Sequence, residues 1–224
     1  MRYFLERGLM RFLCRIFLPR NIHVTGMGRV PLRGGVLVVG NHFGTIDPPL
    51  TGALLARRDV HYMAKSESFQ RGWQRWLLTG YNAFPVVRGK ADRSALRHAI
   101  ALLRDGHVVF LYPEGSRSGN AEMQRPHAGA GFLARQTGAM IVPVAIWGSE
   151  NVLPKGARWP HRNPVNVHFG EPFRLGAATR GAPKLGNQEA ADLMMRRVAD
   201  LLPEQHRGVF RSDAALRASS PPAA

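Results

Sequence analysis

Cysteine is nearly absent from this chain: Cys14 is the only one in 224 residues. One thiol excludes an internal disulfide framework and any Cys-x-x-Cys redox or metal motif, and it is compatible with a reducing compartment. Acidic residues are also scarce, with 15 Asp+Glu against 31 Lys+Arg and a formal charge of +16. That surplus favours an anionic partner, whether nucleic acid, an anionic membrane surface or a phosphorylated substrate, without choosing among them. No stretch reaches the roughly 18 to 20 uninterrupted apolar residues of a membrane span. The nearest attempt, at the N-terminus, is broken by Arg7, Arg11 and Arg15, which also spoils it as a signal peptide. There are nine histidines but no HExxH, no EF-hand loop and no Cys-His cluster, so neither a metal nor a bound cofactor is expected. Walker A, GxGxxG and GxSxG signatures are missing as well.

What is present reads as a globular α/β chain, with 45% hydrophobic residues. Residues 2–18, RYFLERGLMRFLCRIFL, have helical periodicity and stop at Pro19. Their arginines repeat every four positions beside a wide aromatic and aliphatic face, which suits a helix lying in a membrane interface. A terminal helix docked on the protein's own core has the same pattern. Short apolar runs at 36–39, 61–64, 83–87, 108–111, 141–146 and 165–169 predict strands. Helices are predicted over 48–58 with Asp47 as N-cap, 73–78, 92–104 with Asp92 as N-cap, 128–136 and 189–202. The alternation implies a single mixed, largely parallel sheet flanked by helices. The expected organisation is an interfacial helix at 1–20, one domain at 21–210, and a disordered tail at 211–224 ending in Ser-Ser-Pro-Pro-Ala-Ala.

Ligands of such sheets collect at the carboxyl ends of strands. Two segments put polar groups there. The first is Asn41-His42-Phe43-Gly44-Thr45-Ile46-Asp47. Histidine is the side chain best suited to take a proton near neutral pH, and it works better with a carboxylate on its other ring nitrogen. On spacing alone, His42 and Asp47 are equally a turn histidine and a plain helix cap. If they form a dyad, the missing serine or cysteine nucleophile means that the base acts on a substrate hydroxyl directly. The second segment is Tyr112-Pro113-Glu114-Gly115-Ser116-Arg117-Ser118, whose glycine, hydroxyls and arginine suit a phosphate. Lys65 and Arg88, each at the end of an extended segment, are further candidate anion contacts.

In this order, the segments resemble the lysophosphatidic acid acyltransferase family of glycerolipid acyltransferases. Residues 41–47 look like its NHxxxxD motif, and Gly80 through Arg88 like its second block. Residues 112–118 are similar to its FPEGTRS block, and Ile141-Val142-Pro143-Val144 resembles its VPV-type strand. The likeness runs from about residue 23 to residue 173. It implies acyl transfer from acyl-CoA or acyl carrier protein to the hydroxyl of a lysophospholipid. On that resemblance His42 is the general base and Asp47 orients it. Arg88, Glu114, Gly115, Ser116 and Arg117 hold the glycerol phosphate, and Lys65 is a further contact. Tyr112 and Ser116 stand where the family usually has phenylalanine and threonine. The second block has no acidic residue before Arg88.

The implied partners are an anionic membrane surface, the lysophospholipid and the thioester donor, at the cytoplasmic face of the cell membrane as a peripheral or monotopic protein. An acyltransferase with another acceptor, such as a lyso-ornithine lipid, is the alternative. A basic nucleic-acid-binding protein is a remoter one, since no motif of that kind occurs.

Overall fold

The computed structural model describes residues 22–55, 57, 59–87, 92–154, 156–175 and 185–211, apart from the side chains of Trp73 and Leu77. The expected helix at 2–18, Arg88 and the tail from 212 onward lie outside the described residues.

The apolar runs become strands β1 (Ile22–Thr25), β2 (Val36–Gly40), β3 (Val60–Lys65), β4 (Ala83–Val86), β5 (Val108–Leu111), β6 (Met140–Trp147) and β7 (Val165–Phe169). They join in one seven-stranded sheet of order β1-β7-β6-β2-β5-β3-β4. Every neighbouring pair is parallel except β6 with β7. The helices are α1 (Asp47–Leu54), α2 (Gly72–Gly80), α3 (Arg93–Arg104), α4 (Ala128–Thr137) and α5 (Asn187–Ala199).

Central strands β2 and β5 are buried at every residue, which is why they read as unbroken apolar runs and not as alternations. Their side chains still alternate between two cores. Leu37, Val39, Val109 and Leu111 face the layer containing α3, α4 and α5. Val36, Val38, Val108 and Phe110 face Leu50 of α1 and Tyr81. Edge strand β1 was not anticipated. Its four residues alternate in burial, and among the described residues it pairs only with β7, more than a hundred residues later.

Two local rules set the helix starts. Asp92 caps α3 as expected, accepting from the Ser94 and Ala95 amides. Asp47, expected to cap α1, does not: the cap position is Ile46, and no side chain caps the helix. The reason is that α1 has few orphan donors. Pro48 and Pro49 have no N–H, Asp47 N donates to Gly44 O, and Leu50 N already reaches Ile46 O. The Asp47 carboxylate is therefore released for other partners. The helix also stops at Leu54, short of the expected residue 58.

Helices α4 and α5 approach closely at Gly131. A Cβ there would lie 1.9 Å from Asn187 O and 2.8 Å from Ala191 N, both backbone atoms that cannot yield cheaply. Gly131→Ala is expected to cost roughly 2 kcal/mol or more by forcing the helices apart. Thermal unfolding followed by circular dichroism checks this: an unchanged midpoint contradicts the packing described.

Candidate active site

The parallel strands β2, β5, β3 and β4 end on one edge of the sheet, and their following residues surround a cavity of about 840 Å³. That volume falls within the roughly 300 to 1,000 Å³ of small-molecule sites. His42 reaches it from the loop after β2, Lys65 from the end of β3, and Gly115 and Arg117 from the loop after β5. Apolar residues form much of the remaining wall, among them Pro48, Met63, Leu78, Val86, Leu96 and Leu133.

His42 and Asp47 do meet. Nδ1 of His42 lies 2.9 Å from Oδ2 of Asp47. The same oxygen accepts the Phe43 and Gly44 amides, each at 2.9 Å. Asp47 is wholly buried, whereas the His42 side chain keeps 13% of its surface exposed. An oxygen already accepting two N–H groups requires a donor from the histidine, so Nδ1 carries the proton. Nε2 is then the ring nitrogen with the free lone pair, on a side chain that lines the cavity. The loop has to fold tightly for this. A Cβ on Gly44 would lie 2.6 Å from the Ser149 backbone.

The rest of the motif holds His42 in place. Asn41, fully buried, donates from Nδ2 to Ile146 O at 2.6 Å and accepts from Ile146 N at 2.8 Å. Its amide thereby continues the β2–β6 ladder after the backbone has left it. The His42 ring stacks on Tyr112, with centroids 4.3 Å apart and planes at 22°. The Tyr112 hydroxyl is held well above its ordinary pKa by burial and then by the Asp47 charge, so it stays protonated.

Glu114 sits differently from its expected place on the substrate. It is buried and does not line the cavity. Oε1 accepts the His42 amide at 3.3 Å, and Oε2 accepts the Gln124 amide at 3.1 Å. Ser118 N donates to His42 O at 2.9 Å. The loop after β5 thus grips the main chain of His42 on both sides. Burial pushes the Glu114 carboxyl up to about 8, with the nearby Asp47 charge acting in the same direction against the two amide bonds.

The remaining expected contacts divide. Gly115, with φ of +71°, packs so near His127 that a Cβ would lie 2.8 Å from the ring. Arg117 is exposed and donates from a terminal nitrogen to the Thr45 hydroxyl, tying it to the His42–Asp47 loop. Lys65 lies 3.3 Å from Glu67. Ser116 is exposed and does not line the cavity. Arg88 lies outside the described residues, although its neighbour Val87 lines the cavity. Sequence reasoning missed the Asn41 and Ser118 attachments. Only the position of an asparagine at a strand end hinted at the first. Among the described residues, no three His, Cys, Asp or Glu side chains are grouped to hold a metal ion.

A model of the Acyltransferase family matches residues 21–147. The 1-acyl-sn-glycerol-3-phosphate acyltransferase of Bacillus subtilis (strain 168) is 30% identical over 157 residues, covering 70% of this chain and 75% of that protein. The enzyme of the same name from Borreliella burgdorferi is 26% identical over 149 residues, or 66% of this chain and 59% of its own length. The crystal structure of the 1-acyl-sn-glycerophosphate (LPA) acyltransferase PlsC from Thermotoga maritima superposes with a TM-score of 0.68 at 26% identity. It covers 89% of this chain and 80% of its own.

The Glu114 geometry carries a pH dependence. Its folded pKa of about 8 lies above the ordinary 4.5, so between those values the folded chain binds more protons than the unfolded one. Stability is therefore expected to fall as pH rises through that window. Denaturant titrations at intervals across it should show the decline, and Glu114→Gln should flatten it. A wild-type curve that rises over the whole window contradicts the assignment.

Proposed function

The chain belongs to the Acyltransferase family, and from that premise we propose that it moves an acyl group from a thioester to the free hydroxyl of a lysophospholipid. Lysophosphatidic acid is the leading acceptor, with phosphatidic acid as product, and the donor is acyl-CoA or acyl carrier protein. The observation carrying this reading is the buried His42–Asp47 pair at 2.9 Å on a largely apolar cavity that Lys65 and Arg117 also line. An acyl chain suits the apolar wall, and a phosphate suits the cations.

The reaction follows from the proton positions. Nε2 of His42 takes the acceptor's hydroxyl proton as that oxygen attacks the thioester carbonyl carbon. The tetrahedral adduct then collapses, the C–S bond breaks, and the imidazolium returns its proton to the departing sulfur. Asp47 keeps Nδ1 protonated and stabilises the imidazolium while it exists. The substrate's own hydroxyl is the nucleophile, so no acyl-enzyme ester is formed. Glu114, Asn41 and Ser118 act as positioning residues through the main chain of His42 and its strand. Arg88 and Ser116 remain proposed phosphate contacts on the resemblance of their segments alone. No described helix is long and apolar enough to cross a membrane. Attachment at the cytoplasmic face, as a peripheral or monotopic protein, is supported by the +16 charge and by the interfacial pattern of residues 2–18.

Purified chain is expected to acylate lysophosphatidic acid. His42→Ala should lower kcat by about a thousandfold in a chain that still folds, with a lowered unfolding midpoint from the donor lost to Asp47. Near wild-type turnover by that variant would falsify the mechanism. An acceptor panel tests the cationic lining separately: Lys65→Ala and Arg117→Ala should each raise KM for lysophosphatidic acid about tenfold, on loss of one charge-assisted contact. They should leave KM for a phosphate-free lysolipid alone. A wild-type preference for such a lysolipid, including a lyso-ornithine lipid, contradicts the phosphate roles.

A further inference from the structure

The loop of residues 152–164, between β6 and β7, takes no part in the chemistry above, yet it is built in an unusual way. Its sequence, VLPKGARWPHRNP, contains no acidic residue. Its base is firmly attached. Val152 is 1% exposed, and the His161 amide donates to Val152 O at 2.7 Å. Asn163 Nδ2 donates to Gly148 O at 2.8 Å, and Gly148 lies so close to Pro164 O that a Cβ there would come within 2.1 Å. The tip is the opposite. Arg158, Trp159, Pro160 and Arg162 are all exposed, and Trp159, at 78%, is the most exposed large hydrophobic residue among those described.

A tryptophan exposed at the tip of an anchored loop gains no burial on folding, so packing within the chain does not account for it. A tryptophan between arginines is the combination favoured at a membrane–water interface, where the ring sits at the headgroup level and the guanidinium groups meet phosphates. The position agrees. β6 runs parallel to β2, so this loop leaves the sheet on the edge where His42 does. Ser149, three residues before the loop begins, packs against Gly44 of the His42–Asp47 turn.

We propose that the 152–164 loop is a docking finger for an anionic lipid bilayer, with Trp159 inserted at the headgroup level and Arg158 and Arg162 on lipid phosphates. It holds the edge of the sheet that carries His42 against the surface from which the acceptor lipid comes. The loop's purpose rests on the acyl-transfer reading, but its binding does not require turnover.

The test uses the full chain and vesicles of phosphatidylcholine, with or without phosphatidylglycerol, in a sedimentation assay. Trp159→Ser should weaken partition onto the anionic vesicles about tenfold. Arg158→Gln with Arg162→Gln should weaken it by about twentyfold to thirtyfold, with a smaller loss on zwitterionic vesicles. Unfolding midpoints and turnover on a soluble short-chain lysophosphatidate should match wild type. Equal vesicle binding by wild type and both variants overturns the proposal. So does loop-dependent binding of an oligonucleotide by a chain that does not bind vesicles. A wild-type chain inactive on the soluble acceptor instead sinks the acyl-transfer reading, and the vesicle result still decides the role of the loop.

Discussion

A carboxylate taken wholly out of water costs several kcal/mol unless donors replace its hydration. For Asp47 those donors are the His42 imidazole and the amides of Phe43 and Gly44, all on one oxygen. The loop from residue 42 to residue 47 has to close on itself to supply them. The rest of the site is arranged around that closure. Gly44 permits the close approach to Ser149, Pro48 and Pro49 relieve Asp47 of capping, and Glu114 and Ser118 restrain the main chain from the far side. A five-residue spacing that is weak evidence in a sequence becomes, once the loop is closed, a fixed imidazole orientation.

Much of the fold was legible because burial leaves a direct trace in sequence. β2, β5 and β6 are apolar runs because both faces of the sheet are covered. Asp92 reads as a cap and is one. β1 was not legible, since a four-residue edge strand is specified by its partner β7 and not by its own composition. Asp47 was misread as a cap for a related reason: capping statistics count residue type, whereas the need for a cap depends on how many donors are orphaned, and here two are missing at prolines and two are bonded to backbone carbonyls.

The site was legible in its membership more than in its geometry. Nothing in the order of residues 112–118 tells a carboxylate that touches a ligand from one that spans two backbone amides. Glu114 does the latter, and its burial, with the Asp47 charge nearby, pushes its carboxyl up to about 8. Lys65, Gly115 and Arg117 do line the cavity, while Ser116 turns to solvent. Side-chain direction after a turn is set by one or two backbone angles, such as the positive φ of Gly115, and a string of residue types does not encode it plainly.

Asn41 gives the site a further property. Its amide occupies the place of the next peptide unit opposite Ile146, so the hydrogen-bond lattice of the sheet extends one rung beyond its backbone. His42 is the residue immediately after that rung. His42 therefore follows directly on a seven-stranded hydrogen-bond lattice, although its own chain segment is a loop. One side of His42 is thus tied to the sheet through a side chain, while the closed loop of residues 42–47 fixes the direction of its ring.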